Sequence, residues 1–187
     1  MVTTGLLTVS DFLELPRVKN DDYRRYELWQ GEVVEMGETI PFHNWIREAI
    51  LFAFASFFLK TKLGTVLVET GIQLDTNTLY RPDLAIWDAA HWASIDLRDS
   101  PVAIIPQLVV EVKSPSNSLP ELFGKASYYL RSGVHTVWVV IDEPFAIHVF
   151  EANGGRRVIH DGEVIDAPAL LPGFSAEASQ FLPPVNG

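Results

Sequence analysis

The chain has 187 residues, a formal charge of −10 and no cysteine, and 48% of its residues are hydrophobic. This length and apolar content suffice for one domain with a sizeable core. The lack of cysteine excludes a disulfide framework, a thiolate metal site and a cysteine nucleophile. The acidic charge argues against a broad, sequence-independent grip on nucleic acid, because that affinity comes from Lys and Arg side chains that neutralise phosphates. Any contact with nucleic acid must therefore be local.

The N-terminal residues carry no basic region ahead of an apolar run, so we expect no signal peptide. The longest apolar stretch, 49–59, is shorter than the roughly 20 residues that a helix needs to cross a bilayer, so we expect no membrane span. A chain without cysteine is suited to a reducing compartment, and we expect the cytoplasm.

The first part of the chain is predicted to form a short capped helix at 8–16, a hairpin around the turn Gln30-Gly31, and a long helix over 42–62. The long helix has apolar residues at the spacing of one wide face. We expect Gly64 to take the left-handed conformation that ends it.

Two apolar runs follow, 65–75 and 79–87, which are predicted to be antiparallel strands joined by a turn at 76–78. A polar, irregular stretch then leads to a strand at 107–112, an amphipathic helix over 118–132 and a buried strand at 135–142. Hairpins are predicted beyond that point. We expect a single domain with an N-terminal helix and hairpin (1–38), a core (39–142), and C-terminal hairpins with a loose tail (143–187).

Three charges lie in otherwise apolar strands: Asp83 in the run 81–87, and Glu111 and Lys113 in the run 107–113. A buried charge is costly unless it is paired or binds a metal. Side chains alternate along a strand, so Glu111 and Lys113 point to one face and Val112 to the other. If Asp83 lies on the neighbouring strand, two carboxylates and the Val112 carbonyl form an oxygen site suited to Mg²⁺ or Mn²⁺. Lys113 is then placed to orient or deprotonate a water molecule.

The order Pro-Asp, 27 further residues, then Glu-x-Lys resembles the signature of the PD-(D/E)XK nuclease superfamily. The flanking sequence from about 26 to 149 resembles the Uma-two family of restriction-endonuclease-like proteins. The matching segments are 26–36, His43-Asn44, 114–117, Lys125, Tyr129, Gly133-Val134 and 137–142. One departure is Glu121, where the family more often has Asp.

The resemblance implies an α/β fold with a restriction-endonuclease-like core, in which helices flank a central mixed sheet and additional hairpins extend it. It also implies a metal-dependent nuclease that cleaves DNA, with Asp83 and Glu111 as metal ligands and Lys113 as a catalytic residue. Many relatives carry an apolar residue at the position of Lys113, so its presence favours an intact site.

Three further residues are candidates for supporting roles, each with an alternative. Glu32 is either an outer ligand to the metal or water, or an exposed strand carboxylate. His43 either hydrogen-bonds a phosphate or a site carboxylate, or is a capping or buried structural histidine. Lys125 either reaches phosphate or supports Lys113, or forms a surface salt bridge with Glu121 four residues earlier.

Two other functions are compatible with the pattern. The three charges could form a structural ion-pair cluster in a binding module that does not catalyse, although two acids with one base leave a negative charge that invites a cation. The chain could also bind DNA without cutting it. A homodimer is expected if both strands of a duplex are cut, with a contact surface provided by the C-terminal hairpins.

Overall fold

The computed structural model describes residues 6–20 and 25–184, so the expected tail at 183–187 and the N-terminal segment lie partly outside the described residues. The helices are α1 (Val9–Glu14), α2 (Pro16–Asn20), α3 (Pro41–Thr61), α4 (Ala89–Trp92) and α5 (Leu119–Arg131), with a 3-10 helix at Ala178–Phe181. The strands are β1 (Tyr26–Trp29), β2 (Glu32–Glu35), β3 (Gly64–Val68), β4 (Ile72–Asp75), β5 (Thr78–Tyr80), β6 (Leu84–Asp88), β7 (Leu108–Val112), β8 (Thr136–Ile141), β9 (Ala146–Glu151), β10 (Arg156–His160), β11 (Val164–Asp166) and β12 (Ser175–Glu177).

A six-stranded mixed sheet in the order β10-β9-β8-β7-β6-β3 forms the centre of the fold. Strands β7 and β8 are parallel because α5 crosses over between them, and the other pairs in this sheet are antiparallel. A four-stranded antiparallel sheet, β2-β1-β5-β4, lies beside it. This mixed α/β architecture confirms the predicted fold class.

Helices α3 and α5 cover opposite faces of the six-stranded sheet. Ile46, Ile50 and Phe54 of α3 pack in one core with Val110 and Val112 of β7. A second core contains Leu122, Ala126 and Tyr129 of α5 together with Val109 of β7 and Val139 of β8. The alternation along β7 therefore directs Val112 towards α3, as predicted, and places Glu111 on the α5 side.

The long helix ends differently from the prediction. Lys62, with φ of 61°, takes the left-handed position and donates its amide to the Phe58 carbonyl, so the assignment of this role to Gly64 was wrong. Gly64 instead opens β3, where a Cβ atom would lie only 2.2 Å from the Trp87 carbonyl oxygen. The glycine is required by the close approach of two strands.

The predicted strands 65–75 and 79–87 were wrong as continuous elements, because each run is divided between the two sheets. The first half of one run (β3) pairs with the second half of the other (β6), and the remaining halves (β4 and β5) pair in the four-stranded sheet. The chain therefore crosses between the sheets twice, once after β3 and once before β6.

Local chemistry explains both crossings. Glu69 has φ of 46°, which takes it out of the extended conformation, and at Gly71 a Cβ would lie 2.8 Å from the Arg81 guanidinium. At the second crossing, Pro82 has no amide hydrogen to donate to a strand ladder. Asp83 follows it and directly precedes β6, so this crossing places a carboxylate at the junction of the sheets.

The C-terminal part forms hairpins, as predicted. Strands β9 and β10 pair around the turn at 153–155 and extend the six-stranded sheet. The β11–β12 pair forms its own two-stranded sheet, and Phe174 between them stacks on Phe54 of α3 with ring centroids 4.6 Å apart. None of the described helices is long and apolar enough to cross a membrane.

The two faces of α3 provide a matched test of this packing. Phe54 is fully buried against Trp138 and Phe174, whereas Phe52 is 74% exposed on the same helix. We expect Phe54→Ala to lower the free energy of unfolding by about 3–5 kcal/mol, because it leaves a cavity in the core. Phe52→Ala should change the free energy of unfolding by less than about 0.5 kcal/mol. Urea titration of both variants measures the two changes. Equal losses in the two variants would contradict the packing of α3.

Candidate active site

Asp83 and Glu111 lie next to each other on neighbouring strands. Leu84 of β6 pairs with Val110 of β7, so the antiparallel register places Asp83 beside Glu111. Both carboxylates are largely withdrawn from solvent, with exposures of 9% and 5%. One oxygen of Asp83 accepts the Val112 amide hydrogen at 2.6 Å, which ties the end of β6 to β7.

Helix α5 provides two donors to Glu111. The Tyr129 hydroxyl donates to Glu111 Oε1 at 2.8 Å, and Lys125 Nζ lies 2.8 Å from the same oxygen. Both groups are buried one turn apart on the helix face that packs against the sheet. Lys125 is only 5% exposed, and the Tyr80 ring lies 5.2 Å from its ammonium.

A third carboxylate, that of Glu27 on β1, completes this cluster. Glu27 is fully buried, and its Oε1 accepts from Lys125 Nζ at 2.9 Å and from the Arg81 amide. Its Oε2 accepts from the Trp29 indole at 2.6 Å. The Lys125 ammonium is thereby shared between Glu27 and Glu111.

His43, in the first turn of α3, contacts the other side of Asp83. Its Nε2 lies 3.3 Å from Asp83 Oδ1, and its side chain is buried. Burial disfavours the charged imidazolium, but the hydrogen bond and charge of Asp83, assisted by Asn44, outweigh burial and raise the pKa of His43. His43 is thus both buried and in contact with Asp83, which agrees with either of its two predicted types of role.

These groups line a cavity of about 870 Å³ between the two sheets and the start of α5. Among the described residues, seven carboxylates line it against three cationic side chains. The acids are Glu27, Glu35, Glu38, Glu69, Asp83, Glu111 and Glu121, and the bases are Arg25, Arg81 and Lys125. The cavity is therefore negative unless a cation enters it.

The crowding of like charges is reflected in the protonation of Glu111. Burial, opposed by Lys125 and reinforced by Asp83 and Glu27, raises the pKa of Glu111 to about 7. Although burial disfavours the ammonium, the charges of Glu111 and Glu27 raise the pKa of Lys125 above its usual value. Lys125 is thus a permanent cation near neutral pH and is not suited to act as a general base.

The donor set fits a hard divalent cation. Within the described part of the chain, no group of three or more His, Cys, Asp or Glu side chains is placed to hold a metal. Two neighbouring carboxylates suffice for Mg²⁺, however, because this ion commonly takes one or two carboxylates and fills its remaining positions with water and substrate phosphate. Glu111 Oε1 already accepts two donors, whereas its second oxygen has none among the described contacts.

Two of the predicted site residues are not among the described residues that line this cavity. Lys113 directly follows β7, is half-buried, and donates its amide to the Val140 carbonyl at 2.8 Å. Glu32 is exposed on β2, opposite Trp29, while Glu35 at the other end of the same strand lines the cavity.

The surface salt bridge proposed for Lys125 and Glu121 was wrong. Glu121 instead accepts from the Ser118 amide at 2.8 Å, in a capping box at the start of α5. Lys125 points into the protein because it lies three residues after Leu122 and four before Tyr129, both on the buried face of the helix.

Glu27 and Tyr129 were not predicted to act at the site. Glu27 is the single acid in a short apolar strand, which is the same kind of signal that identified Asp83 and Glu111. Tyr129 lies in the predicted amphipathic helix and matches the family pattern, and only the contact with Glu111 shows that its hydroxyl is used. The contact between Tyr129 and Glu111 joins residues that are 18 positions apart, and the contact between Glu27 and Lys125 joins residues that are 98 positions apart.

The chain is similar to known proteins both in sequence and in fold. The model of the Uma2 family, described as "Putative restriction endonuclease", matches residues 9–179. A crystal structure from Anabaena variabilis, described as "a putative nuclease belonging to DUF820", is similar with a TM-score of 0.78 and 14% sequence identity. The similarity covers 94% of this chain and 97% of that one. No curated protein matches the sequence.

Adjacent tyrosines on α5 allow the support of Glu111 to be tested. We expect Tyr129→Phe to lower the free energy of unfolding by about 1.5–3 kcal/mol, because a buried carboxylate loses a donor. In Tyr128→Phe the lost hydroxyl contacts the exposed Asp75 and the buried Thr78 hydroxyl but no buried carboxylate, so the loss should be smaller, at about 1 kcal/mol. Denaturant titration of both variants provides the comparison. An unchanged stability of Tyr129→Phe would show that Glu111 does not depend on this hydroxyl.

Proposed function

Because the chain belongs to the Uma2 family, we propose that it is a divalent-metal-dependent nuclease that hydrolyses phosphodiester bonds, with DNA as its substrate. The observation that carries this proposal is the pair of buried carboxylates on neighbouring strands, Asp83 and Glu111, in a cavity whose acids outnumber its bases. A phosphate is repelled by such a lining unless a cation accompanies it. A metal between these carboxylates removes this conflict.

In this proposal Asp83 and Glu111 are the protein ligands of Mg²⁺ or Mn²⁺. When bound, such an ion polarises the phosphoryl oxygen and lowers the pKa of a coordinated water. The Val112 amide and His43 hold Asp83 from two sides, and Tyr129 and Lys125 hold Glu111, so both carboxylates are oriented before substrate arrives. The Lys125 ammonium offsets negative charge that the phosphate brings into the cavity.

Lys113 is proposed to orient the attacking water, as its position in the Glu-x-Lys pattern indicates. It lies two residues beyond Glu111, so strand alternation favours the same face of the sheet. Its side chain is half-buried at the end of β7, and its amide bond to Val140 fixes the backbone there.

A two-fold homodimer is proposed for cleavage of both strands of a duplex, because each strand then has its own site. The exposed apolar side chains of Val158 on β10 and Val164 on β11 support a contact through the C-terminal hairpins.

The proposal is tested by removing the carboxylates one at a time. We expect Asp83→Ala and Glu111→Ala each to lower Mg²⁺- or Mn²⁺-dependent cleavage of supercoiled and single-stranded DNA by at least about 10²-fold. Glu48→Ala is the control, because this exposed acid on α3 pairs with Arg47 and lies outside the lining of the cavity. Retained cleavage in both carboxylate variants would refute the assignment. A wild-type protein that binds DNA, but that neither binds metal nor cleaves DNA, would instead favour a binding module.

The role of Lys113 is tested separately. We expect Lys113→Met to lower kcat by about 10²–10⁴-fold with little change in KM, since water orientation contributes to the reaction rather than to substrate binding. Its position at the end of a strand predicts an unchanged melting temperature, which thermal denaturation checks. Full activity of Lys113→Met, together with loss of activity in Lys125→Met, would show that Lys125 of α5 performs this role and that Lys113 does not.

A further inference from the structure

The proposed chemistry does not use Glu27, although this residue is the most deeply buried charge of the cluster. Its side chain is 0% exposed, compared with 9% for Asp83 and 5% for Glu111. It belongs to β1 in the four-stranded sheet, whereas the two proposed metal ligands belong to the six-stranded sheet. A carboxylate buried at this depth requires a strong compensating interaction.

Both carboxylate oxygens of Glu27 already accept hydrogen bonds. The Arg81 amide and the Lys125 ammonium donate to one oxygen, and the Trp29 indole donates to the other at 2.6 Å. These donors come from the connection between β5 and β6, from α5 and from β1 itself, so three parts of the chain hold the carboxylate. Glu27 is therefore unsuited to be a further metal ligand and is suited to hold Lys125.

Lys125 has two anionic partners at nearly equal distances. Its Nζ lies 2.9 Å from Glu27 Oε1 and 2.8 Å from Glu111 Oε1. The rings of Trp29 and Tyr80 lie 5.8 and 5.2 Å away and form an aromatic wall around the ammonium. The helix positions this cation between the anchored carboxylate and the proposed metal ligand.

A metal ion and the Lys125 ammonium would both draw on the negative charge of Glu111. A divalent cation bound to Glu111 would repel the neighbouring ammonium. It would also offset the negative charge of Glu111 that stabilises this ammonium. With Glu111 as its sole anion, Lys125 would keep its contact with Glu111 Oε1 on metal binding but would lose much of the charge that compensates its burial, which is unfavourable. Glu27 provides a second carboxylate, whose Oε1 lies 2.9 Å from Lys125 Nζ.

We propose that Glu27 is a positioning residue whose carboxylate retains the Lys125 ammonium in the cavity when a divalent cation occupies Glu111. This inference rests on the proposed metal site at Asp83 and Glu111. It explains why the cavity contains a third buried acid that the proposed metal site does not use. It also means that the loaded site presents a metal and an ammonium side by side to an incoming phosphate.

The experiment is calorimetric titration of Mn²⁺ into the full chain and three variants. We expect Glu27→Gln to bind Mn²⁺ at least about 10-fold more weakly than the wild type, because the ammonium then has no carboxylate other than the one that binds the ion. In Glu27→Gln/Lys125→Met the conflict is removed with the ammonium, and the affinity should return to within about 3-fold of the wild type. The double variant removes the ammonium together with Glu27, and Glu111 keeps the Tyr129 hydroxyl as a donor, so the variant is expected to fold.

Glu69→Gln is the matched control for general electrostatics. Glu69 also lines the cavity, but its carboxylate pairs with Arg47 and has no described contact with Lys125. A loss of Mn²⁺ affinity in Glu27→Gln that is no larger than in Glu69→Gln would overturn the positioning role and leave the metal site intact. Failure of the wild type to bind Mn²⁺ would instead refute the proposed function, and this role with it.

A second measurement needs no variant at residue 27 and covers the case in which Glu27→Gln does not fold. The ¹⁵N resonance of the Lys125 ammonium is followed in the wild-type protein during titration with Mg²⁺, which is diamagnetic. We expect a slowly exchanging, hydrogen-bonded ammonium both before and after saturation. Its conversion to a rapidly exchanging group when Mg²⁺ binds would show that Glu27 does not retain it.

Discussion

The shared ammonium of Lys125 is the interaction on which the arrangement of this protein depends. Glu27 belongs to the four-stranded sheet, Glu111 to the six-stranded sheet, and Lys125 to the helix that covers the latter. One buried cation therefore joins three layers of the fold. Removing either partner of such a pair leaves an uncompensated charge in a region of low polarity, so the two sheets and α5 must be positioned together.

The same junction explains why the carboxylates are available for chemistry. The chain passes from one sheet to the other at Glu69 and again at Pro82, and the second crossing ends at Asp83 beside Glu111. A regular strand through this point would pair its backbone and direct alternate side chains into two apolar layers. The interrupted strands instead open a cavity into which backbone amides and carboxylates project, at the cost of an excess of negative charge.

Much of the fold could be predicted from the sequence because its signals are local. The apolar spacing of α3, the turn at Gln30-Gly31 and the alternation along β7 each depend on neighbouring residues, and all three are present in the structure. The division of two long apolar runs between sheets could not be predicted in this way. Continuous strands and divided strands have the same local pattern, and the crossings depend on contacts such as that between Gly71 and Arg81.

In the candidate site, too, local sequence patterns reveal some contacts but not those between distant segments. Asp83 and Glu111 were predicted to lie together because charges in apolar strands demand an explanation, and the register of β6 and β7 brings them side by side. The ion pair between Lys125 and Glu27 joins residues that are 98 positions apart, and helical spacing alone suggested a surface partner for the lysine. Only the packing of α5 on the sheet shows that the lysine faces inwards and that Glu27 is its partner.

The central claim is that Asp83 and Glu111 together hold a divalent cation. It is tested most directly by diffraction from crystals of the protein grown with Mn²⁺, using the anomalous signal of manganese to locate the ion. The account predicts an anomalous peak in contact with both carboxylates and an ammonium of Lys125 that still contacts Glu27. A saturated crystal with no peak between Asp83 and Glu111, or with manganese bound only elsewhere, would contradict it.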